Sequence, residues 1–379
     1  MKAGWANPAH FPVGAFWDYW PGGNGADARA EVQHDKNLGL NFYTHGNRDQ
    51  SACVLRDVGG MSWLGEPGSL TDLSTCGETV WPGNYLEDEL DGTSGSTTEA
   101  FAELTRQQNA ARTATPNKFV GVNYTSIPIQ IWTSDANGGR YINGFGDLVS
   151  SDDYLFSTPN RCEATWSDGS AMEWWPFIGP RPASVARCRD GQSYGKLTDG
   201  LRSRDALDGA RKPVASFLEV YGGADPAAKV GSPAQVKAAA MSNLIHGAEF
   251  LIWFPLSFHS SCVSNRLLSA ASPPCAAAHK AAVGEINNLV KSLAPVLNTQ
   301  SYQWTFGAGL ETMLKVYNGQ AYVFAMTDGG TGARTFTLPA GLTGNVTDEA
   351  GRTIPVSGGR FTDTFEANTE YHVYRIAVA

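Results

Sequence analysis

Apolar runs with strand character alternate with helical segments along most of the chain. The runs are rich in Val, Ile, Phe, Tyr and Trp and end at Gly, Pro, Asn or Asp, as buried strands do. Eight strands are predicted, at 11–17, 40–45, 61–64, around Glu89, 118–124, 148–156, 213–221 and 248–254. Helices are predicted between them, at 26–38, 53–58, 97–112, 197–211, 233–246 and 276–293. Such alternation over roughly 290 residues predicts an α/β fold, a (β/α)8 TIM barrel.

The pattern changes near residue 299. From there to residue 379, short β-rich runs are separated by Gly, Asp and Thr, which predicts a small antiparallel β-sandwich. The total of 379 residues suits a barrel domain at 1–298 followed by a smaller domain at 299–379. Within the barrel, segments 65–79 and 157–192 lack clear periodicity and are predicted to be long loops.

Charge and motifs exclude several classes of function. The net charge is −9, and the sequence has no basic run, which argues against nucleic acid and anionic membrane as partners. No run of eighteen apolar residues exists, so no membrane span is expected. The sequence also lacks a glycine-rich phosphate loop, CxxC and HExxH, so neither a cofactor nor a metal is expected. It leaves the oligomeric state open.

The six cysteines fall into three pairs of neighbours along the chain. These pairs are Cys53 with Cys76, Cys162 with Cys188, and Cys262 with Cys275. Six thiols allow fifteen connectivities, but each neighbouring pair would close a single loop of the kind that stabilises an extracellular protein. Three disulfides and an extracellular location are therefore predicted, with scattered buried thiols as the alternative. Residues 1–12 contain no apolar signal region, so export would depend on a removed signal, a virion or cell lysis.

An acidic cluster lies at the predicted end of strand four, where Glu87, Asp88, Glu89 and Asp91 occur within five positions. One interpretation is a solvated acidic turn. Another is a calcium loop, but its twelfth position would be Thr98, where a bidentate glutamate is required. The third is a catalytic acid, because barrel enzymes keep their chemistry at the carboxyl ends of the strands.

A second carboxyl group, Glu219, follows Phe217 and Leu218 at the predicted end of strand seven. Residues 11–295 resemble one clan of enzymes. The resemblance rests on Glu219, on Asp88-Glu89, on Tyr154 after strand six and on Trp253 in strand eight. The clan is that of the retaining glycoside hydrolases with an acid/base glutamate on strand four and a nucleophilic glutamate on strand seven. Asparagine usually precedes the strand-four glutamate in that clan. Asp88 stands there instead, and an ionised carboxylate accepts hydrogen bonds but cannot donate them.

The resemblance implies roles for these residues. Glu89 would protonate the leaving oxygen, Glu219 would attack the anomeric carbon, and Asp88 would accept from a sugar hydroxyl. Tyr154 would orient Glu219, and Trp253 would form the floor of the sugar site. Asp153 is an alternative acid, and Glu87 replaces Glu89 if the register slips by two residues. The candidates for the walls are Trp17, Tyr19, Trp20, Trp63 and Tyr124.

The expected function is therefore extracellular hydrolysis of a polysaccharide or oligosaccharide with retention of configuration. The alternative is a non-catalytic carbohydrate-binding or virion-attachment protein on a barrel scaffold, which the presence of Asp88 favours. A serine hydrolase is not indicated, because the segment 92–96 lacks the final glycine of a nucleophile elbow. The sugar is left open between pyranosides and furanosides.

Overall fold

A closed barrel of eight parallel strands forms the first part of the molecule. The computed structural model describes residues 7–16, 18, 20–46, 48–66, 68–130, 133–157, 188–222 and 230–379. The strands are β1 (Val13–Phe16), β2 (Phe42–Thr44), β3 (Ser62–Leu64), β4 (Gly83–Tyr85), β5 (Phe119–Tyr124), β6 (Leu148–Ser151), β7 (Val214–Glu219) and β8 (Leu251–Phe254). Pairing of β8 with β1 closes the barrel. The predicted TIM barrel is confirmed.

Helices lie between the strands. They are α1 (Ala26–Asn37), α2 (Ala52–Val58), α3 (Leu73–Val80), α4 (Leu90–Thr93), α5 (Thr97–Ala114), α6 (Asp135–Gly144), α7 (Gln192–Asp205), α8 (Pro233–Ile245) and α9 (Ala277–Leu297). Helix α8 begins as its sequence predicts, with Pro233 at the first position and a capping box between Ser232 and Gln235. Helix α3, in contrast, lies in a segment predicted to be a loop. It is short and contains Gly77 and three Thr or Ser residues, so burial of Cys76 and Val80 stabilises it more than helix propensity does.

Alternation along the strands separates two apolar layers. Side chains of Phe16, Tyr85, Phe217 and Ile252 fill the barrel interior together with others of one cluster. Their neighbours along the strands pack outwards against the helices. Because successive strand residues face opposite sides, a shift of one position moves a side chain from the interior to the helix layer.

Disulfides connect elements outside the barrel. Cys53 in α2 is bonded to Cys76 in α3, with a Cα–Cα distance of 5.1 Å. Cys262 is bonded to Cys275 across the loop after β8, with a Cα–Cα distance of 5.7 Å. These two predicted pairs are confirmed. Cys188 is also disulfide-bonded, and Cys162, the partner predicted for it, lies outside the described residues.

The last part of the chain is antiparallel. Its strands are β9 (Ser301–Tyr302), β10 (Leu310–Tyr317), β11 (Gln320–Thr327), β12 (Gly332–Thr337), β13 (Leu342–Thr347), β14 (Thr353–Ile354), β15 (Arg360–Phe365) and β16 (Tyr371–Val378). Six strands form a sheet in the order β14-β13-β16-β11-β10-β9, and β12 pairs with β15. Phe336 stacks on Phe361 at 4.5 Å in a core of its own. The predicted β-sandwich is confirmed. Among the described helices, none has the length and hydropathy that a membrane crossing requires.

A buried charge cluster joins the two parts. His246, directly after α8, contacts Asp199 of α7 at 2.8 Å and Glu311 of β10 at 3.2 Å. Lys196 of α7 also contacts Glu311, at 2.6 Å. Burial alone would lower the pKa of His246, but its hydrogen bonds and the charges of Asp199 and Glu311 raise it to about 9. The charged imidazole therefore stabilises the contact between barrel and sandwich.

Replacing His246 with Gln should lower the free energy of unfolding by about 3 kcal/mol near pH 6, because two carboxylates lose a buried cationic partner. The imidazole's contribution is complete below its unfolded pKa of 6.5 and is lost as the pH rises through about 9. Urea unfolding should thus show a large difference from the wild type near pH 6 and a small one near pH 10. The control is Lys237→Gln, which breaks an exposed pair with Glu285 and should cost less than about 1 kcal/mol. Equal stability of the His246 variant near pH 6 would contradict the prediction.

Candidate active site

Glu219 is the last residue of β7 and is only 2% exposed. Alternation places it on the same side as Phe217, inside the barrel at the carboxyl end of the strand. Its Oε1 accepts hydrogen bonds from the backbone amide of Phe156, at 2.6 Å, and from the hydroxyl of Tyr194. Its Oε2 is buried and has no hydrogen-bond partner among the described residues. The Phe156 amide and the Tyr194 hydroxyl therefore fix one carboxyl oxygen of Glu219.

Burial raises the pKa of Glu219 to about 6, and hydrogen bonds from Ser157, Tyr194 and Phe156 oppose that rise. The donors stabilise the ionised form in a site that would otherwise keep the carboxyl neutral. Glu219 is therefore largely ionised at neutral pH.

Glu89 lies four residues beyond the end of β4 rather than at the strand end predicted for it. It precedes the short helix α4 with φ 53° and ψ 37°, which is the left-handed region. A residue other than glycine rarely adopts this conformation, and such strain is concentrated at functional sites. The turn brings the Glu89 side chain back towards the carboxyl end of β6.

There Glu89 hydrogen-bonds the carboxyl group of Asp152, the first residue after β6. Burial is the main cause that raises the pKa of Asp152 well above its usual range, and the charges of Glu89 and Asp88 add to it. Because a buried carboxyl group ionises with difficulty beside other carboxylates, Asp152 retains a proton. No pattern in the sequence separates Asp152 from its neighbour Asp153.

Tyr154 is near enough to both groups of carboxyls for their charges to act on its phenol. Burial raises the pKa of its phenol, followed by the charges of Asp152, Asp88, Glu89 and Glu219, in that order. Its hydroxyl donates to Asp152 Oδ2 at 3.4 Å. The hydroxyl that donates to Glu219 belongs instead to Tyr194, so the prediction that Tyr154 orients Glu219 is corrected. Tyr194 was missed because it reaches the site from α7.

Asp88 is connected to the barrel interior by a chain of hydrogen bonds. Asn123 of β5 donates to Asp88 Oδ1 at 2.9 Å, and Ser150 of β6 donates to Asn123 Oδ1 at 2.8 Å. The Tyr85 hydroxyl contacts Ser150. Burial raises the pKa of Asp88 to about 6, which Asn123 opposes and the charges of Glu89 and Asp91 increase. Asn123 therefore fixes one Asp88 oxygen.

The other acids of the cluster point elsewhere. Glu87 is exposed, and its carboxyl accepts from Gln107 of α5 at 2.8 Å. Asp91 is buried and accepts from the Thr125 amide at 3.0 Å and hydroxyl at 2.6 Å. Glu87, Glu89 and Asp91, which would bind the ion in the calcium-loop alternative, thus contact three different partners. Among the described residues, no group of three or more His, Cys, Asp or Glu side chains could hold a metal ion.

Asp153, the alternative acid, is buried beside Tyr194. Its charge contributes, after burial and Glu219, to the raised pKa of the Tyr194 phenol. The described hydrogen bond to Glu89 comes from Asp152 and not from Asp153.

The aromatic residues predicted to contact sugar lie mostly on the other side of the barrel wall. Trp253 is fully buried, and its indole donates to Asn287 of α9 at 2.9 Å. The rings of Trp20, Trp63 and Tyr124 belong to the same helix-facing layer. These four expectations are corrected: strand alternation turns Trp253, Trp63 and Tyr124 outwards, and Trp20, in the loop after β1, packs on the outward ring of Tyr43 at 4.9 Å. Trp17 and Tyr19 lie outside the described residues.

Other rings occupy the mouth of the barrel, which is the opening at the carboxyl ends of its strands. Phe254 follows Trp253, faces inwards and packs against Tyr154 at 4.7 Å. Phe16, at the end of β1, stacks on Phe254 at 6.1 Å. Alternation in β8 predicts that Trp253 and Phe254 face opposite sides of the barrel wall. The sequence does not show which of the two faces the interior.

No protein-family model matches this sequence. No curated protein matches it either. Solved structures do resemble it: AmyP in complex with maltotriose has a TM-score of 0.56 at 10% identity, with 99% of this chain and 98% of that chain covered. Amy13B of Eubacterium rectale has a TM-score of 0.56 at 9% identity, with 97% and 96% covered. An Anoxybacillus alpha-amylase, described as a new glycosyl hydrolase subclass, has a TM-score of 0.50 at 10% identity, with 98% of both chains covered.

The chain has the fold of the TIM-barrel glycoside hydrolases. The similarity extends through the barrel and the β-sandwich, because nearly the whole of each chain is covered. At identities of 9 to 10% it shows a shared fold. The site described above comes from the residues of this chain.

Replacing Tyr194 with Phe should raise the pKa of Glu219 by about one unit, because the carboxylate loses a hydroxyl donor while remaining buried. The measurement is a ¹³C-carboxyl NMR titration of glutamate-labelled protein, with the Glu219 signal assigned from its loss in Glu219→Gln. The control is Tyr124→Phe, which removes another buried hydroxyl bond, to Tyr141, on the helix-facing side. A Glu219 titration that is the same in all three proteins would refute the role of Tyr194.

Proposed function

We propose that this protein is a retaining glycoside hydrolase that cleaves a polysaccharide by double displacement. The observation that carries the proposal is the contrast between two carboxyl environments, both of which act on the Tyr154 phenol. Glu219 is held by hydrogen-bond donors that favour its ionised form. Glu89 lies beside Asp152, whose pKa is raised well above its usual range by burial and by the charges of Glu89 and Asp88. An ionised carboxylate and a protonated one are what this mechanism requires.

In the first step, Glu219 Oε2 attacks the anomeric carbon while Glu89 donates its proton to the departing glycosidic oxygen. The carbon–oxygen bond to the leaving group breaks, and a glycosyl ester forms on Glu219. In the second step, water attacks the same carbon, Glu89 takes the water proton, and the ester bond breaks to release Glu219 as a carboxylate. Two displacements at one carbon retain its configuration.

Asp152 and Asp88 assist as neighbours. Burial keeps a proton on Asp152, which can pass it to Glu89 as Glu89 protonates the leaving oxygen. Asp88 has one oxygen bound to Asn123 and offers the other to a sugar hydroxyl. The two described disulfides support an extracellular or cell-wall substrate.

The structural relatives suggest which glycans to test first. The maltotriose bound by AmyP and the alpha-amylase from Anoxybacillus make α-glucans one class. Xylan, arabinan and galactofuranan represent the β-glycan and furanoside classes. The second candidate function is carbohydrate binding without catalysis. It is favoured by Asp88, because an ionised carboxylate cannot donate to the substrate as an amide does.

Replacing Glu219 or Glu89 with Gln should each reduce kcat/KM by about a thousandfold or more on whichever glycan the wild type hydrolyses, because the nucleophile or the proton donor is lost. The products are followed by ¹H NMR, and the first anomer formed should have the configuration of the substrate. The control is Glu87→Gln, the same substitution two residues from Glu89 at an exposed side chain.

Loss of activity in Glu87→Gln instead of Glu89→Gln would move the acid to Glu87. An inverted first product would exclude double displacement. A wild-type protein that binds glycans of the panel but hydrolyses none of them would support the carbohydrate-binding alternative.

The pH profile tests the two carboxyl environments separately. Below pH 6, kcat/KM should fall about tenfold per unit, because Glu219 has its pKa raised to about 6 and must be ionised to attack. Replacing Asp152 with Asn should leave this acidic limb in place and move the basic limb to lower pH by about one unit or more. The reason is that the Asp152 carboxyl group, whose pKa burial raises well above its usual range, no longer holds a proton beside Glu89. If the basic limb of the pH profile moves in Asp153→Asn and not in Asp152→Asn, then Asp153 is the residue that retains the proton beside Glu89.

A further inference from the structure

His45 lies at the same end of the barrel as Glu219. It follows Thr44, the last residue of β2. Its ring contacts Phe16 at 4.7 Å and Tyr85 at 5.3 Å, and these are the last residues of β1 and β4. Both partners belong to the cluster inside the barrel. The imidazole is therefore part of the mouth and not of the outer helix layer.

The backbone of His45 is held in an unfavourable conformation. Its φ is 58°, in the left-handed region that favours glycine. Such a conformation persists where surrounding contacts enforce it, and it is often found at binding sites. Glu89, with φ 53°, is held in the same way. In both residues the turn directs a polar side chain towards the mouth.

The two ring nitrogens of His45 have different surroundings. Nδ1 lies 3.0 Å from the Thr44 hydroxyl. Nε2 is buried and has no hydrogen-bond partner among the described residues. Burying a polar atom without a partner is unfavourable, so the arrangement suits a ligand that supplies one.

The ligand group should be uncharged. Burial lowers the pKa of His45 to about 4, so the imidazole is neutral at neutral pH. A neutral imidazole has one donor and one acceptor nitrogen, and a hydroxyl can pair with either. An anion would be repelled by the acids of the mouth, namely Asp88, Glu89, Asp152 and Glu219. A sugar hydroxyl meets both requirements.

We propose that His45 Nε2 hydrogen-bonds a hydroxyl group of the sugar unit held in the mouth of the barrel. The inference rests on the proposed function, because it takes the ligand to be a glycan. It assigns His45 to binding and leaves bond cleavage to Glu89 and Glu219. Its loss should therefore raise KM more than it lowers kcat.

Two substitutions distinguish the contribution of the Nε2 atom to binding from that of the aromatic ring. His45→Phe keeps an aromatic ring against Phe16 and Tyr85 but removes Nε2. His45→Gln carries an amide that can reach the same hydroxyl. Calorimetric titration with the glycan hydrolysed by the wild type, or otherwise with maltotriose, xylotriose and arabinotriose, should show Kd weakened about three- to tenfold in His45→Phe. Binding by His45→Gln should lie within about twofold of the wild type.

A second measurement uses the wild-type protein, so it does not depend on folding of a variant. In ¹⁵N NMR the imidazole signal of His45, assigned from its loss in His45→Phe, should shift when a glycan binds. An unchanged Kd in a folded His45→Phe, an imidazole signal that does not move on binding, or no binding of any glycan at millimolar concentration would overturn the inference. Binding that shifts His45 without hydrolysis would overturn the proposed enzyme activity alone.

Discussion

The burial of several carboxyl groups at one end of the barrel is the constraint on which the site depends. An ionised carboxylate is costly to bury unless donors or opposite charges surround it. The protein stabilises its buried carboxyl groups in two different ways at this end of the barrel. Glu219 accepts hydrogen bonds from Tyr194 and a backbone amide, which stabilise its charge. Asp152, which hydrogen-bonds Glu89, instead has its pKa raised well above the usual range, mainly by burial. One end of the barrel thus carries a carboxyl group whose ionised form is stabilised and another that retains a proton, and this difference is the basis of the proposed chemistry.

Strand geometry explains how residues distant in sequence reach this mouth. In a closed parallel barrel all carboxyl ends lie on one face, and inward residues alternate with outward ones. Glu219 of β7, Asn123 of β5 and Ser150 of β6 therefore point into the same space. The hydrogen bonds from Ser150 to Asn123 and from Asn123 to Asp88 fix the loop after β4 to the neighbouring strands. A loop that carries Glu89 in a strained conformation needs such anchoring.

Much of the fold and one side of the site could be predicted from the sequence. The strand order follows from the spacing of apolar runs, and Glu219 stands out as the one acid of the seventh predicted strand, 213–221. The aromatic rings could not be placed in this way, since a parallel strand is apolar on both faces and the pattern does not tell Trp253 from Phe254. The turn at Glu89 depends on a rare backbone conformation, which no periodicity indicates. Tyr194 enters from a helix, so only the tertiary structure brings it to Glu219.

Asp88, which stands where the resembling clan usually has asparagine, can be understood from its surroundings. As a neutral acid it would donate a hydrogen bond as an amide does, but burial raises its pKa only to about 6. Glu219 has a pKa of about 6 as well and must be ionised to attack. The pH range in which Asp88 donates is therefore the range in which Glu219 loses reactivity. At neutral pH Asp88 is an acceptor held by Asn123, so in the proposed function a sugar hydroxyl beside it would be the donor.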